Sequence, residues 1–228
     1  MKRLWILIVV MAAAAAGGEV IDRIVGVVNR SPILASDWDE ELRFEAFVNG
    51  HAPVTAAAER GAALERLIDQ ALIEQQMTAS KYVSANEEEI KAAVDQIRKQ
   101  IAKDDAAWAA SLRQYGLSEQ VVTQHVRRQV NQLRFIEMRF ARDAGPKPDA
   151  VQRYYSEQYV AKLRATGAAE KPLPEVREQI ERILTEQRVD ELLSNWLQAL
   201  RAQAQIDVRA PDASVPAASN AARGRGQE

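Results

Sequence analysis

Residues Val20–Leu42 read VIDRIVGVVNRSPILASDWDEEL, two short apolar runs around a turn, followed by a helix start. In Ile24–Val28 both alternating sets of side chains are apolar and largely β-branched, which predicts a strand covered on both faces. Asn29 tolerates the positive φ of a tight turn. Pro32 lacks an N–H and is therefore typical of a strand at the edge of a sheet. The stretch predicts a β-hairpin that leads directly into a helix.

The hairpin needs another partner, because two strands alone are only marginally stable in water. The candidate is the segment QIDVR at Gln205–Arg209, in which Ile206 and Val208 point to one face of a strand. Pairing this segment with the hairpin brings both ends of the fold together, with the helices between them. The predicted fold class is mainly α: a helical core with a small β-sheet formed by an N-terminal hairpin and a C-terminal strand.

Composition limits the function classes. The chain has 228 residues, of which 47% are hydrophobic and 27% are charged, enough for one core or two small ones. A formal charge of −2 does not indicate nucleic acid as the main partner. The chain contains no cysteine, which excludes disulfides, thiolate metal sites and lipid-modified cysteine. The abundance of Ala, Glu, Gln, Arg and Leu favours helix.

Residues 1–18 are predicted to be a signal peptide. Lys2 and Arg3 give a basic start, the apolar run Leu4–Ala16 follows, and small residues precede Glu19. The apolar run is short for a membrane span, which favours a cleaved secretory signal over an uncleaved anchor. We therefore expect no membrane span after cleavage. The expected destination is the periplasm, if the source is a bacterium with two membranes.

Helical periodicity and capping residues account for most of the chain between the hairpin and the last strand. Ser36, with Asp39 at the reciprocal third position, and the Ser84-Ala85-Asn86-Glu87 box are predicted N-caps. The predicted helices cover Ser36–Val48, Thr55–Met77, Ser84–Ile101, Asp104–Tyr115, Ser118–Arg142, Asp149–Arg164 and Pro174–Arg201.

Two breaks rich in Gly and Pro, at 145–148 and 166–174, divide this helical body. The core at 19–210 is accordingly divided into an N-terminal part at 19–143, a helical linker part at 144–172, and a C-terminal helix and strand at 173–210. Residues 211–228 have almost nothing apolar to bury and are predicted to be disordered.

The sequence contains no catalytic signature. It has no GxxxxGK[ST], HExxH, GxSxG or GxGxxG pattern. Of the two histidines, His51 lies beside a loop proline, and His125 is predicted on the charged side of a helix next to Arg127 and Arg128. Both are predicted to be solvated. We predict no catalytic, cofactor-binding or metal site, and no cofactor.

The tryptophans leave two interpretations open. Trp38, Trp108 and Trp196 fall in apolar helical stripes, which predicts core packing. The alternative is an exposed aromatic that lines a cleft for apolar peptide.

Several pieces of the chain, in their order, resemble SurA-type periplasmic chaperones. After the signal peptide come VIDRIVGVVNRSPILASDWD, LERLIDQALIEQQ and the helix capped near Ser84, then YGLSEQVVTQHVRRQV and the closing LQALRAQAQIDV. The resemblance covers about residues 19–143 and 173–209. It implies a chaperone core of helices wrapped around a small sheet, which binds unfolded outer-membrane proteins on their way through the periplasm.

The chain departs from this family at one place. Members commonly carry one or two parvulin-type prolyl isomerase domains before the C-terminal helix, and such a domain needs on the order of 100 residues. Here only Ala165–Pro172 connects Arg164 to Leu173. The chain resembles the chaperone core with its isomerase domain removed, and we expect no enzymatic activity.

Two functions of different classes follow. The first is an ATP-independent holdase that shields extended apolar segments of unfolded outer-membrane or secreted proteins. The second is a non-enzymatic adaptor or structural envelope protein with one fixed partner; an isomerase-related protein is a third alternative. The sequence identifies neither the client nor the oligomeric state. The predicted peptide-lining residues are Phe44, Phe47, Tyr154, Tyr155 and Tyr159.

Overall fold

The structure is a computed structural model that describes residues 22–52, 57–80, 82–167 and 169–209. The predicted signal peptide at 1–18, the predicted tail at 211–228 and the helix start at Thr55 lie outside the described residues. The described helices are α1 Ala35–Asn49, α2 Ala57–Ala79, α3 Glu87–Ile101, α4 Asp105–Tyr115, α5 Glu119–Phe140, α6 Pro148–Tyr154, a π-helical turn Tyr155–Tyr159, α7 Val160–Thr166 and α8 Leu173–Gln203. The strands are β1 Ile24–Val28, β2 Ser31–Leu34 and β3 Ile206–Val208.

The three strands form one antiparallel sheet in the order β2-β1-β3. Asn29 adopts a φ of 58° in the hairpin turn. Val27 stands opposite Pro32 on one side and Asp207 on the other. The predicted mainly α fold, with a sheet made by an N-terminal hairpin and a C-terminal strand, is confirmed.

The helix caps agree with the sequence at some ends and differ at others. Asp104 and Ser118 accept hydrogen bonds from the first turns of α4 and α5, as predicted. Gly50 and Gly116 close α1 and α4 in the left-handed conformation, which glycine adopts without a Cβ penalty.

The cap predicted at Ser36 is wrong, because β2 passes into α1 without an intervening loop. The last strand residue, Leu34, is the N-cap, and its backbone N–H donates to the Asp37 carboxylate at 3.0 Å. Ser36 lies within the first turn, and its hydroxyl donates to the carboxylate of Asp22.

The cap predicted at Ser84 is also displaced. Asn86 and Glu89 cap α3 reciprocally, each side chain accepting from the other's backbone N–H at 2.9 Å. The chain just before the cap is extended, because the Ala85 N–H donates to the buried Asn131 side chain on α5 at 2.7 Å. This contact ties the α2–α3 connection to α5.

Two clusters of apolar side chains build the N-terminal half of the molecule. The sheet cluster lies between the sheet, α1 and α2 and includes Val25, Val28, Ile33, Trp38, Leu64, Leu67 and Ile68. The α1–α4 cluster lies between α1, α3, α4 and α5 and includes Phe44, Phe47, Val94, Trp108, Leu112, Tyr115, Val122 and Val126.

Two further clusters depend on α8. The α8 cluster joins α2, α5 and α8 through Ile73, Phe135, Ile136 and Phe140. The tyrosine cluster joins α6 and the π-helical turn to the start of α8 through Val151, Val176 and Ile180. With 31 residues, α8 thus runs along three of the four clusters before β3 returns to the sheet.

The end of α8 is fixed to α2 by Arg201. Its Nε donates to Asp69 at 2.6 Å, and its Nη1 donates to Glu65 at 2.5 Å. Burial disfavours the charge of Arg201, but these two carboxylates outweigh it and raise the pKa of the guanidinium. The ion pairs therefore position the chain for its return through β3.

The connection between α7 and α8 is short. Helix α7 ends at Thr166, Gly167 follows with a φ of 69°, and α8 begins at Leu173. Tyr155 reaches across this connection, and its hydroxyl donates to the Lys171 carbonyl at 2.9 Å. Within the described ranges, no helix is both long and apolar enough to cross a membrane.

Candidate functional site

The middle of α8 carries apolar side chains that its neighbours cover only in part. Val176 and Ile180, near its start, are buried among α6 and the tyrosines. Further along, the apolar residues are all partly exposed; we call them the α8 strip: Ile183, Leu184, Val189, Leu192, Leu193, Trp196 and Leu197. A long helix with a half-covered apolar side offers area to an apolar partner.

Trp196 illustrates how residues of α5 cover the α8 strip in part. Its indole packs on Phe140 and Phe135, with ring centroids 5.9 and 6.2 Å away. The Arg139 guanidinium lies 4.4 Å from the ring centroid. The core interpretation of Trp196 from the sequence is therefore correct for its inner side, and Trp38 and Trp108 are fully in the core.

A cleft of about 460 Å³ opens beside the α8 strip, where the chain turns from α5 into α6. Its walls carry charges of both signs, while Pro146, Ala150 and Leu184 supply apolar surface. The polar wall includes the ion pair between Arg188 and Glu191, at 3.0 Å. The break at 145–148, which divides the helical body, lines one wall of this cleft. Its mixed lining suits a peptide, which has polar backbone groups and apolar side chains.

Three of the predicted lining residues lie together beyond this cleft. Tyr154, Tyr155 and Tyr159 are half-buried around the start of α8. The rings of Tyr155 and Tyr159 stack with centroids 5.8 Å apart, inside the π-helical turn. Single π-helical turns inside α-helices are frequently found at functional sites. The exposed parts of these rings extend the partly apolar surface of the α8 strip.

The other two predicted lining residues are in the core. Phe44 and Phe47 are each only 1% exposed. Phe47 packs edge-on against Trp108 and Tyr115 at centroid distances of 5.4 and 5.7 Å. Helix α4 covers Phe47, and His125 of α5 stacks on Phe44, so neither phenylalanine lies at the surface. We therefore exclude both from the candidate surface.

Other exposed apolar residues were not foreseen. Val83, Leu133 and Met138 are 80%, 59% and 59% exposed. The helical spacing of the apolar residues of α5 predicts that Leu133 lies on the same side as Val126, Val130 and Ile136, yet its side chain is exposed. The C-terminal part of α5 buries Phe135 and Ile136 in the α8 cluster, and Leu133 lies outside it. Val83 occupies an extended segment, where helical periodicity gives no signal.

His125 is buried, and the prediction that it is solvated is wrong. Its ring is 3% exposed and stacks on Phe44 with centroids 4.3 Å apart. Nε2 lies 3.0 Å from a Glu40 oxygen, and Nδ1 lies 3.4 Å from a Glu41 oxygen. Its place three residues after Val122 and one before Val126 is the signal that indicated the buried side of α5.

Glu41 is the more enclosed of the two carboxylates in this cluster. Burial raises the pKa of its carboxyl, but hydrogen bonding from His125 and Gln70 and the charges of His125 and Arg128 outweigh burial and lower the pKa. The Gln70 amide donates to Glu41 at 3.2 Å. Because His125 and Glu41 are buried and their polar atoms have partners, these two residues hold α1 to α5 and are closed to a ligand.

A second cleft, of about 280 Å³, lies between α2, the Tyr82–Ser84 segment and α5. Met77 and Tyr82 line it on one side and Arg128 and Asn131 on the other. The Tyr82 hydroxyl is buried and has no hydrogen-bond partner among the described residues, and burial raises its pKa. This cleft is smaller than the one beside the α8 strip.

The architecture of this chain is similar to that of a solved structure. A chain from a study of the virulence factor PEB4 and the periplasmic protein Cj1289, SurA-like chaperones of Campylobacter jejuni, superposes with a TM-score of 0.52. The match covers 82% of this chain and 98% of that chain, at 12% sequence identity.

The chain has the fold of a SurA-like chaperone. At 12% identity the likeness concerns the backbone architecture, and no residue role is transferred by it. No protein-family model matches the sequence. No curated protein matches it either. The SurA-like resemblance read from sequence fragments and the structural likeness therefore agree at the level of the fold.

Proposed function

We propose that the protein is an ATP-independent periplasmic chaperone that binds unfolded outer-membrane or secreted polypeptides and holds them unaggregated. One observation carries the proposal: the half-covered α8 strip runs beside the 460 Å³ cleft on a fold shared with SurA-like chaperones. The basic start and apolar run at 1–18 support export to the periplasm.

The chemistry of the surface suits transient binding. Burial of apolar side chains away from water is favourable, and it does not require a particular client sequence. An unfolded client keeps much of its conformational freedom, and ordering it costs free energy, so each contact is weak. The charged groups around the cleft keep the surface soluble when no client is bound. Binding of this kind needs no nucleotide.

The purified mature protein should suppress aggregation of an unfolded outer-membrane β-barrel protein without nucleotide. Suppression should persist at high salt, because salt screens charges and leaves apolar contacts intact. Light scattering at low and high salt measures both. Failure at several-fold molar excess of folded protein would contradict the holdase and favour an adaptor with one fixed partner.

A matched pair of variants locates the surface. Ile183 is a partly exposed member of the α8 strip that packs in none of the four clusters, so Ile183→Ser should weaken suppression several-fold without unfolding the protein. Val48, which is 41% exposed on α1, provides the control: Val48→Ser should leave suppression unchanged. Equal suppression by the two variants would place client binding elsewhere.

The protein should not catalyse prolyl isomerisation. Residues 167–172 are all that join α7 to α8, the place where related chains were expected to carry a parvulin domain. Protease-coupled cis–trans exchange of a proline peptide measures this directly. A rate above that of heat-denatured protein would contradict the expectation and make the isomerase-related alternative the better one.

A further inference from the structure

The two edges of the sheet differ in their capacity to accept another strand. At the β2 edge, Pro32 stands opposite Val27 and faces outward without an N–H. The N–H of Leu34, the next outward residue, donates to the Asp37 carboxylate at 3.0 Å. Both outward donors of β2 are thus missing or occupied, which is how natural sheets protect an edge.

The β3 edge has no such protection. The Asn29 N–H donates to the Gln205 carbonyl at 2.7 Å, and the Arg209 N–H donates to the Val25 carbonyl at 2.9 Å. Because antiparallel pairing alternates along a strand, Gln205, Asp207 and Arg209 face β1, and the backbone groups of Ile206 and Val208 face the opposite side. Among the described residues, β3 pairs with β1 alone.

We propose that the free edge of β3 takes up an extended segment of the client polypeptide as a fourth strand. The inference rests on the proposed function and assigns it a second point of contact. Two N–H and two C=O groups, spaced two residues apart, match the hydrogen-bonding repeat of an extended backbone. Strand addition of this kind recognises the backbone of the partner and tolerates many sequences.

The side chains of β3 specify which segments fit. Ile206 and Val208 are partly buried against the sheet cluster, so alternate side chains of an added strand would extend that apolar face. Asp207 and Arg209 are exposed, and the Arg209 Nε donates to the Asp207 carboxylate at 2.7 Å. They would flank those side chains of the added strand that point to the opposite face. The preferred client segment alternates apolar and polar residues, which is the pattern of β-barrel strands.

Amide hydrogen exchange of the full mature protein tests the proposal. The probe is a ten-residue peptide of alternating valine and threonine; the control peptide has the same sequence with N-methylated amides. The valine–threonine peptide should slow exchange at the amides of Ile206 and Val208 several-fold and saturably. The amide of Val27, already paired inside the sheet, should not change. The N-methylated peptide should have no effect.

Two substitutions at one position separate the backbone from the side chain. Val208→Pro removes an outward N–H group but none of the hydrogen bonds to β1. Val208→Ala keeps this N–H group and leaves a smaller side chain than proline does. Peptide binding should fall several-fold in Val208→Pro and stay near wild type in Val208→Ala, with both variants checked by circular dichroism. Should Val208→Pro fail to fold, the exchange experiment on the wild-type chain still decides.

Three other results would contradict the proposal. Peptide binding without protection of Ile206 and Val208 would exclude the β3 edge and leave the proposed function standing. Absence of any binding, together with failure to suppress aggregation, would exclude both. If the amides of Ile206 and Val208 exchange slowly without peptide, and deletion of residues 210–228 speeds their exchange, the chain's own C-terminal segment occupies the edge.

Discussion

Deletion of residues 205–228 should lower the free energy of unfolding by about 3–6 kcal/mol, the amount expected for two aliphatic side chains alone. Ile206 and Val208 pack against the sheet cluster, and β3 covers one side of β1. Removal of β3 would also expose the backbone of Val25, Val27 and Asn29, which β3 now pairs. A two-stranded remnant is marginal in water, so the loss should spread to the helices that pack on the sheet.

Deletion of residues 211–228 is the matched control for this loss. The segment is rich in Pro, Ala, Ser, Gly and Arg and has little apolar surface to bury, so its removal should leave stability unchanged. Urea unfolding of the three forms, followed by circular dichroism, measures the difference. Equal unfolding midpoints for all three would contradict a structural role for β3, while equal loss in both deletions would give that role to the tail.

The sheet was predictable because its signals are local and mutually consistent. A run of β-branched residues, an asparagine at the turn and a proline at an edge position each indicate one arrangement. The distant pairing with β3 followed from a physical need, since a hairpin alone is marginal. The prediction of an N-cap at Ser36 was wrong, because the position of a cap depends on where the preceding strand ends, and β2 continues to Leu34.

The candidate surface was less predictable, because an apolar helical stripe has the same sequence pattern whether it is covered or half-covered. Phe44 and Phe47 belong to such a stripe. Helix α4 covers Phe47 with Trp108 and Tyr115, and α5 covers Phe44 with His125. The stripe of α8 shows the same spacing, yet α2 and α5 leave it partly exposed. Which helix lies across which stripe is decided by tertiary packing, so only the structure separates core aromatics from available ones.

Replacement of His125 by alanine should lower the free energy of unfolding by about 3–5 kcal/mol, the usual cost of leaving a buried charge, here the Glu41 carboxylate, without one of its partners. The imidazole lies between the carboxylates of Glu40 and Glu41 and stacks on Phe44. Without it, the Glu41 carboxylate stays buried with weaker compensation, and a cavity opens between α1 and α5. The α1–α4 cluster, which shares Phe44, should loosen with it.

His51 provides a matched control, since it is the other histidine and is exposed. Its Nδ1 lies 2.8 Å from the neighbouring Ala52 carbonyl oxygen. His51→Ala should change the free energy of unfolding by less than about 0.5 kcal/mol, as is usual for surface substitutions. Equal stability of the two variants in urea would contradict the structural role of the buried cluster.

Acid should reveal how much of the His125 contribution acts through Glu41. The pKa of Glu41 is held below its ordinary value of 4.5, so the folded state binds its proton more weakly than the unfolded state does. This carboxylate therefore stabilises the fold above the ordinary pKa, and the contribution is lost as pH falls through the folded pKa. His125→Ala removes the main group that lowers this pKa. The stability gap between wild type and His125→Ala should accordingly be wider just above the ordinary pKa of Glu41, at about pH 5–6, than below about pH 4. A gap of the same size at both pH values would assign the effect to lost packing on Phe44 alone.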